Sequence, residues 1–184
     1  MTSVFVGGSR QVSRLGSQER RELQRHVEER VRFLVGDANG ADKAVQKWLC
    51  ESKYENVVVF CSGDACRNNL GRWETRNIGT GRRTRDYAFY AAKDREMARE
   101  CESGLMIWDG LSVGTILNVL RLVRAEKEVL LMNVRDEDSI LFEKASQWDR
   151  FIDRQDEEFR SELRKRSLPE EWKKPAPQAQ ASLF

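Results

Sequence analysis

A chain of 184 residues, 40% hydrophobic and 34% charged, is long enough for one domain with a full core. Its formal charge of +2 excludes nucleic-acid binding driven by bulk electrostatics, so any basic surface has to be local. No apolar run approaches the roughly 20 residues of a membrane span. The opening Met1-Thr2-Ser3-Val4-Phe5-Val6 lacks the features of a secretion signal, so a cytoplasmic protein without membrane contact is expected.

In chain order, five short runs rich in Val, Ile, Leu and Phe, at residues 3–6, 32–35, 56–61, 105–108 and 128–132, read as buried strands. They alternate with helical patterns at 17–31, 40–52, 86–101 and 112–125. Leu23, Val27 and Val31 repeat at four-residue spacing in the first, and Ala44, Val45, Trp48 and Leu49 line one face of the second. Right-handed crossovers then give an α/β, Rossmann-like, doubly wound and mostly parallel five-stranded sheet over residues 1–134. Residues 62–83 carry the loop chemistry of Ser62-Gly63-Asp64 and Ile78-Gly79-Thr80-Gly81, and so long a connection reads as functional or mobile. Residues 135–167 read as one or two amphipathic helices packed on the domain, with Ile140, Leu141, Phe151, Ile152, Phe159 and Leu163 buried. From 168 to 184 the chain holds all three prolines and reads as a flexible, solvated tail. The four cysteines contain no Cys-x-x-Cys pair and read as reduced, mostly structural thiols. The single histidine, His26, has no metal partner in sequence, and no metal or cofactor is expected.

Two glycine turns carry the candidate chemistry. Gly7-Gly8-Ser9-Arg10 follows the first strand directly, so backbone N–H groups can approach an anion while Ser9 and Arg10 supply further donors. Asp109-Gly110-Leu111-Ser112-Val113-Gly114-Thr115 follows the fourth strand and leads into a helix whose N-terminus can accept a phosphate, with the Ser112 and Thr115 hydroxyls nearby. In an open α/β sheet the ligand crevice lies where the strand order reverses, here between the first and fourth strands, and both turns converge on it.

Between Arg67 and Arg85 the chain carries Arg67, Arg72, Arg76, Arg82, Arg83 and Arg85 against Glu74 alone, with Trp73 among them and Tyr87, Phe89 and Tyr90 just beyond. This segment reads as a flexible lid over the site; the competing reading is a nucleic-acid groove. Sheets of this class often dimerise through their outer helices, so a homodimer is also an expectation.

The succession GGSR at 7–10, GDANGAD at 36–42, CRNN at 66–69, KDREMA at 93–98 and WDGLSVGT at 108–115 resembles the SLOG superfamily of Rossmann-like proteins. That group includes YspA-like nucleotide-binding proteins, DNA-processing protein A and the Lonely Guy phosphoribohydrolases. The resemblance implies a nucleotide or nucleotide-derived ligand, with Gly8, Ser9, Arg10, Gly110, Ser112, Gly114 and Thr115 around its phosphate. Asp37, Asp42, Asn68 and Asp109 would contact its base or ribose, and Gly36 and Asn118 complete the nucleotide-binding set. In the hydrolase branch an arginine precedes a methionine, as Arg95 and Met97 do here, and a glutamate follows the Gly-Thr. This chain has Ile116, Leu117 and Asn118 instead, so the carboxylate that would stabilise an oxocarbenium-like state is missing. Binding or sensing is therefore expected ahead of N-glycoside cleavage, whose catalytic candidates would be Arg95 and Asp109. A third reading comes from the last residues. Gln180-Ala181-Ser182-Leu183-Phe184 resembles the Gln-x-x-Leu-Phe peptide by which bacterial replication and repair proteins dock on the β sliding clamp, with Gln180, Leu183 and Phe184 at the matching positions. It implies a clamp-tethered factor of DNA metabolism in a bacterial or phage setting.

Overall fold

The structure, a computed structural model, describes residues 2–79, 81 and 84–173. Its strands are β1 (Ser3–Gly8), β2 (Arg32–Gly36), β3 (Val57–Ser62), β4 (Glu74–Ile78), β5 (Ser103–Trp108), β6 (Glu128–Asn133) and β7 (Asp138–Phe142). Its helices are α1 (Ser17–Glu28), α2 (Ala41–Glu51), α3 (Tyr87–Glu100), α4 (Val113–Arg124), α5 (Ala145–Asp153) and α6 (Glu157–Arg166), followed by a 3-10 turn at Pro169–Trp172. All strands join one sheet in the order β4-β3-β2-β1-β5-β6-β7, parallel throughout except that β7 runs antiparallel to β6. The order reverses between β1 and β5, which pair directly from Val4 with Ser103 to Gly8 with Ile107. The crevice therefore opens there, at the strands' carboxyl ends.

Side chains alternate across the sheet, and each face has its own core. Phe5, Leu34, Phe60 and Met106 face the cluster that includes Met97, Ile116, Leu120, Trp148 and Leu163, from α3 to α6. Val4, Val6, Phe33, Val35 and Ile107 face Leu23, Val45 and Leu49 of α1 and α2. This two-sided burial is why the central strands read as continuous apolar runs.

The sheet has seven strands, two more than the sequence pattern showed. Both additions are edges. β4 is Glu74-Thr75-Arg76-Asn77-Ile78, mostly solvent-facing, and lies inside the segment read as a loop. β7 is Asp138-Ser139-Ile140-Leu141-Phe142, inside the segment read as helical. Charged and polar residues on an edge strand discourage further pairing, and they also hide the strand from a search for apolar runs. Leu141, expected in the core, is consequently 40% exposed, whereas Phe151 and Leu163 are buried as anticipated.

Cys61 and Cys66, read as thiols, are joined in a disulfide with Cα atoms 5.1 Å apart, while Cys50 and Cys101 are free. Gly63, at φ +81°, reverses the chain after β3 and brings Cys66 back to the strand end. Pro169 also departs from the tail reading, because the turn it opens packs Trp172 against the core. Among the described residues no helix is long and apolar enough to cross a membrane.

Candidate functional site

The loop after β1 is knitted to its neighbours by backbone contacts. The Ser9 N–H donates to the Ile107 carbonyl at 2.9 Å, and the Ser9 carbonyl accepts from Ala41 N–H at 3.0 Å. Gly8 permits this closeness, since a Cβ there would stand 2.2 Å from the Ile107 carbonyl oxygen. Gly40, at φ +84°, brings the α2 N-terminus equally close to the backbone of Arg10. The ends of β1, β2 and β5 are thus held in one rigid cluster.

Asp109 joins the two glycine turns. Ser9 Oγ donates to its Oδ2 at 2.6 Å, while its Oδ1 accepts from the N–H groups of Leu111 (3.1 Å) and Ser112 (2.7 Å). Burial opposes ionisation of this carboxyl, but the Ser9 hydroxyl and the two amides outweigh it and hold its pKa below the ordinary carboxylate range. Downstream, Ser112 is the N-cap of α4 but its side chain caps none of the first amides, and Thr115 Oγ1 donates to Ser112 Oγ at 3.1 Å. Gly114 has no packing reason to be glycine: the nearest atom to a Cβ there would be Ser112 Oγ, 4.0 Å away. Its bare backbone faces open space.

That space is a cavity of about 550 Å³. Gly8, Ser9, Arg10, Asp42, Asp109 and Ser112 line it, and so do Gly114, Thr115 and Asn118, so most of the expected ligand residues come together. Tyr90 forms part of its wall, with the guanidinium of Arg10 5.2 Å and that of Arg67 4.5 Å from the ring centre. Arg85 and Arg166 add positive charge.

At the cavity floor the expected Asp42 belongs to a charge cluster whose lysine the motif reading missed. Lys93 is buried and contacts Asp94 at 2.7 Å and Asp42 Oδ2 at 3.3 Å. Burial works against its charge, yet the two carboxylates more than compensate, and its pKa is raised. The carboxylates fare differently. For Asp94, burial is outweighed by Lys93, Arg121 and a hydrogen bond from Asn118, which keep it ionised below the usual range. For Asp42, burial dominates over the attraction of Lys93, the negative Asp94 adds repulsion, and its pKa rises. Gly36 makes room for the cluster, because a Cβ there would stand 2.2 Å from both Asp42 Oδ2 and Lys93 Nζ.

The remaining expected residues play other parts. Asp37 is almost fully buried and accepts from Arg67 through the backbone N–H and two guanidinium nitrogens at 2.6–3.0 Å. Burial opposes its charge, but the Arg67 bonds lower its pKa. Asn68 Nδ2 donates to the Asp37 carbonyl at 2.8 Å, so this pair secures the loop that leads Arg67 to Tyr90. Gly110 serves the turn with φ +80°. Arg95 does not line the cavity; its Nε donates to Glu171 at 3.0 Å, and Met97 is wholly buried in the core. Both residues of the Arg-x-Met feature therefore lie outside the cavity lining. Glu171 also accepts from Arg121 Nε at 2.7 Å, and Arg121 in turn donates to the Asn118 Oδ1.

Within the arginine-rich segment, Arg67 pairs with Asp37 and Arg76 with Glu100, while Arg85 reaches the cavity. Arg82 and Arg83 lie outside the described residues, as do Gln180, Leu183 and Phe184 of the C-terminal peptide. No protein-family model, curated protein or solved structure matches the chain.

Proposed function

We propose that the cavity binds a nucleotide or nucleotide derivative, with its phosphate between Ser9, Arg10 and the first turn of α4 and its base against Tyr90. One observation carries this reading: an uncapped helix N-terminus with a side-chain-free Gly114 faces a cavity at the topological switch point. Unsatisfied amides and the positive end of the helix dipole favour an anion there. Pockets of several hundred cubic ångströms suit ligands of this size. The ordered resemblance to the SLOG superfamily supports the same ligand class.

Holding the ligand fits the arrangement better than cutting it. Arg95 is committed to Glu171, and Asn118 gives its carbonyl oxygen to Arg121. The carboxylate closest in role to a stabiliser of positive charge is Asp109, ionised but engaged by Ser9 and two amides. N-glycoside cleavage, the second reading, rests on that residue alone.

Gly114→Asp tests the proposal directly. A Cβ at 114 meets no close neighbour, and an acidic residue in the first turn of a helix is favourable, so the variant folds with undiminished thermal stability. Its carboxylate occupies the anion seat. Calorimetric titration with nucleoside 5′-monophosphates is expected to show binding to the wild type and loss of about tenfold or more in the variant. Unchanged affinity overturns the proposal, and free base released on incubation with the wild type shifts the assignment to the hydrolase.

A further inference from the structure

The Cys61–Cys66 disulfide encloses only residues 62–65. A cross-link gains least over so short a loop, so this one is a poor staple for the whole fold. Its two sulfurs also differ in access. Cys61 is fully buried near the end of β3, whereas Cys66 is half-buried and lines a hollow of about 340 Å³ together with Gly63, Asp64, Arg67 and Phe89. A thiol arriving from solvent can reach the Cys66 sulfur and leave Cys61 as the departing group.

The residues that flank the bridge both touch Tyr90. Ser62, beside Cys61, donates from Oγ to the Tyr90 carbonyl at 3.3 Å, and Arg67, beside Cys66, sets its guanidinium 4.5 Å from the Tyr90 ring centre. Between them Gly63 rests on Phe89, whose Cζ would stand 2.9 Å from a Cβ there. Tyr90 separates this hollow from the nucleotide cavity and lines both, as does Arg85. The other ties of the enclosed loop run to the edge strand: the Gly63 N–H donates to the Ile78 carbonyl at 2.9 Å, and Asn77 Nδ2 donates to the Asp64 carbonyl at 3.0 Å in an exposed position. The bridge is what ties the loop back to the buried β3.

We infer that Cys61 and Cys66 form a thiol–disulfide switch on the nucleotide site: closed, the bridge holds Ser62 and Arg67 against Tyr90, and opened by a dithiol reductant it releases the loop and weakens ligand binding. The inference rests on the nucleotide reading of the cavity. In the opening step a thiolate of the reductant attacks Cys66 Sγ, the bond between the two Sγ atoms breaks, and Cys61 leaves as a thiolate that takes up the proton the reductant gave up. The second thiol of the reductant then attacks its own sulfur in the mixed disulfide and frees Cys66 as a thiol. The protein gains two electrons and two protons, and the reductant ends as its disulfide. Asp37 still grips Arg67 in the open form, so affinity falls without vanishing.

The test uses the full chain, oxidised with oxidised glutathione or reduced with dithiothreitol without denaturant. Thiol counting is expected to give two free thiols, those of Cys50 and Cys101, before reduction and four after it. Calorimetric titration with nucleoside 5′-monophosphates is expected to show a loss of about fivefold or more on reduction, restored by reoxidation. Cys66→Ser, at a half-buried position, is expected to bind as the reduced wild type does and to ignore dithiothreitol. Amide exchange followed by mass spectrometry, without ligand, is expected to quicken on reduction at residues 63–67. Equal affinity of the two forms, a Cys66→Ser variant that binds as the oxidised wild type, a bridge that opens only on unfolding, or four thiols that persist under oxidised glutathione each overturns the switch and leaves the cavity assignment standing. Absence of monophosphate binding by both forms overturns the cavity assignment and, with it, control of ligand binding by the bridge; unchanged exchange at residues 63–67 overturns the release of the loop whatever the ligand.

Discussion

Lys93 carries one positive charge between two carboxylates in a nearly dry place, and its neighbours divide that charge unequally. Asp94 is closer and gains further support from Arg121 and Asn118, whereas Asp42 loses the competition and bears the cost of burial. Lys93→Met removes the ammonium from between two buried carboxyls and leaves Asp94 only Arg121 and Asn118 in support, so unfolding in urea is expected to show a loss of about 3–5 kcal/mol. Asp42→Asn retains an acceptor for the Ala38 N–H and relieves the crowding of negative charge, and its loss is expected to be clearly smaller. An Asp42→Asn loss equal to that of Lys93→Met contradicts the unequal division. Lys93 was legible in the sequence by a signal that a motif search passes over. Phe89, Lys93 and Met97 stand at four-residue spacing, which places the lysine on the buried face of α3. A lysine on an apolar face needs a partner, and Asp94 is the next residue. Arg95, by contrast, was assigned by analogy with a two-residue feature, and its true partner, Glu171, is 76 residues away, a pairing that no local pattern displays.

At the scale of elements, the glycines between strands and helices decide how closely the loops approach. Gly8→Ala sets a Cβ against the Ile107 carbonyl and the Ala41 side chain, both fixed parts of the sheet and of α2. The β1 loop must move, and a loss of about 2–3 kcal/mol is expected from the urea midpoint at unchanged slope. The central strands and the first four helices were plain in the sequence because burial on both faces writes long apolar runs and crossovers write amphipathic ones. β4 and β7 were not, since an edge strand is stabilised by ladder bonds to a neighbour that its own side chains do not reveal. Backbone pairing from Val58 with Glu74 to Ser62 with Ile78 makes β4 a strand despite a composition that favours a loop.

For the molecule as a whole, acid sensitivity is concentrated around the site. Asp37, Asp94, Asp109 and Glu171 all have pKa values held below the ordinary 3.8 or 4.5 by arginines, lysine, hydroxyl or amides that overcome burial. A group depressed in the folded state contributes stability that is complete above its ordinary pKa and fades as pH falls through the depressed value. Asp42, raised by burial, acts with the opposite sign and recovers a little stability on protonation. The four outnumber the one, so stability measured against pH is expected to be flat near neutrality and to fall below about pH 4. A minimum near neutrality would contradict this balance.

The Glu171 contact also bears on the order in which the molecule becomes competent. The cavity is lined by residues 7–10 and also by Arg166 and Asn118, and the Asn118 carbonyl oxygen is tied to Arg121 and through it to Glu171. During synthesis residues 7–10 are made long before Glu171, and the β1 end is set only when β5 follows to pair with it. Until translation has passed Glu171, the Arg121 guanidinium that holds Asn118 lacks that carboxylate.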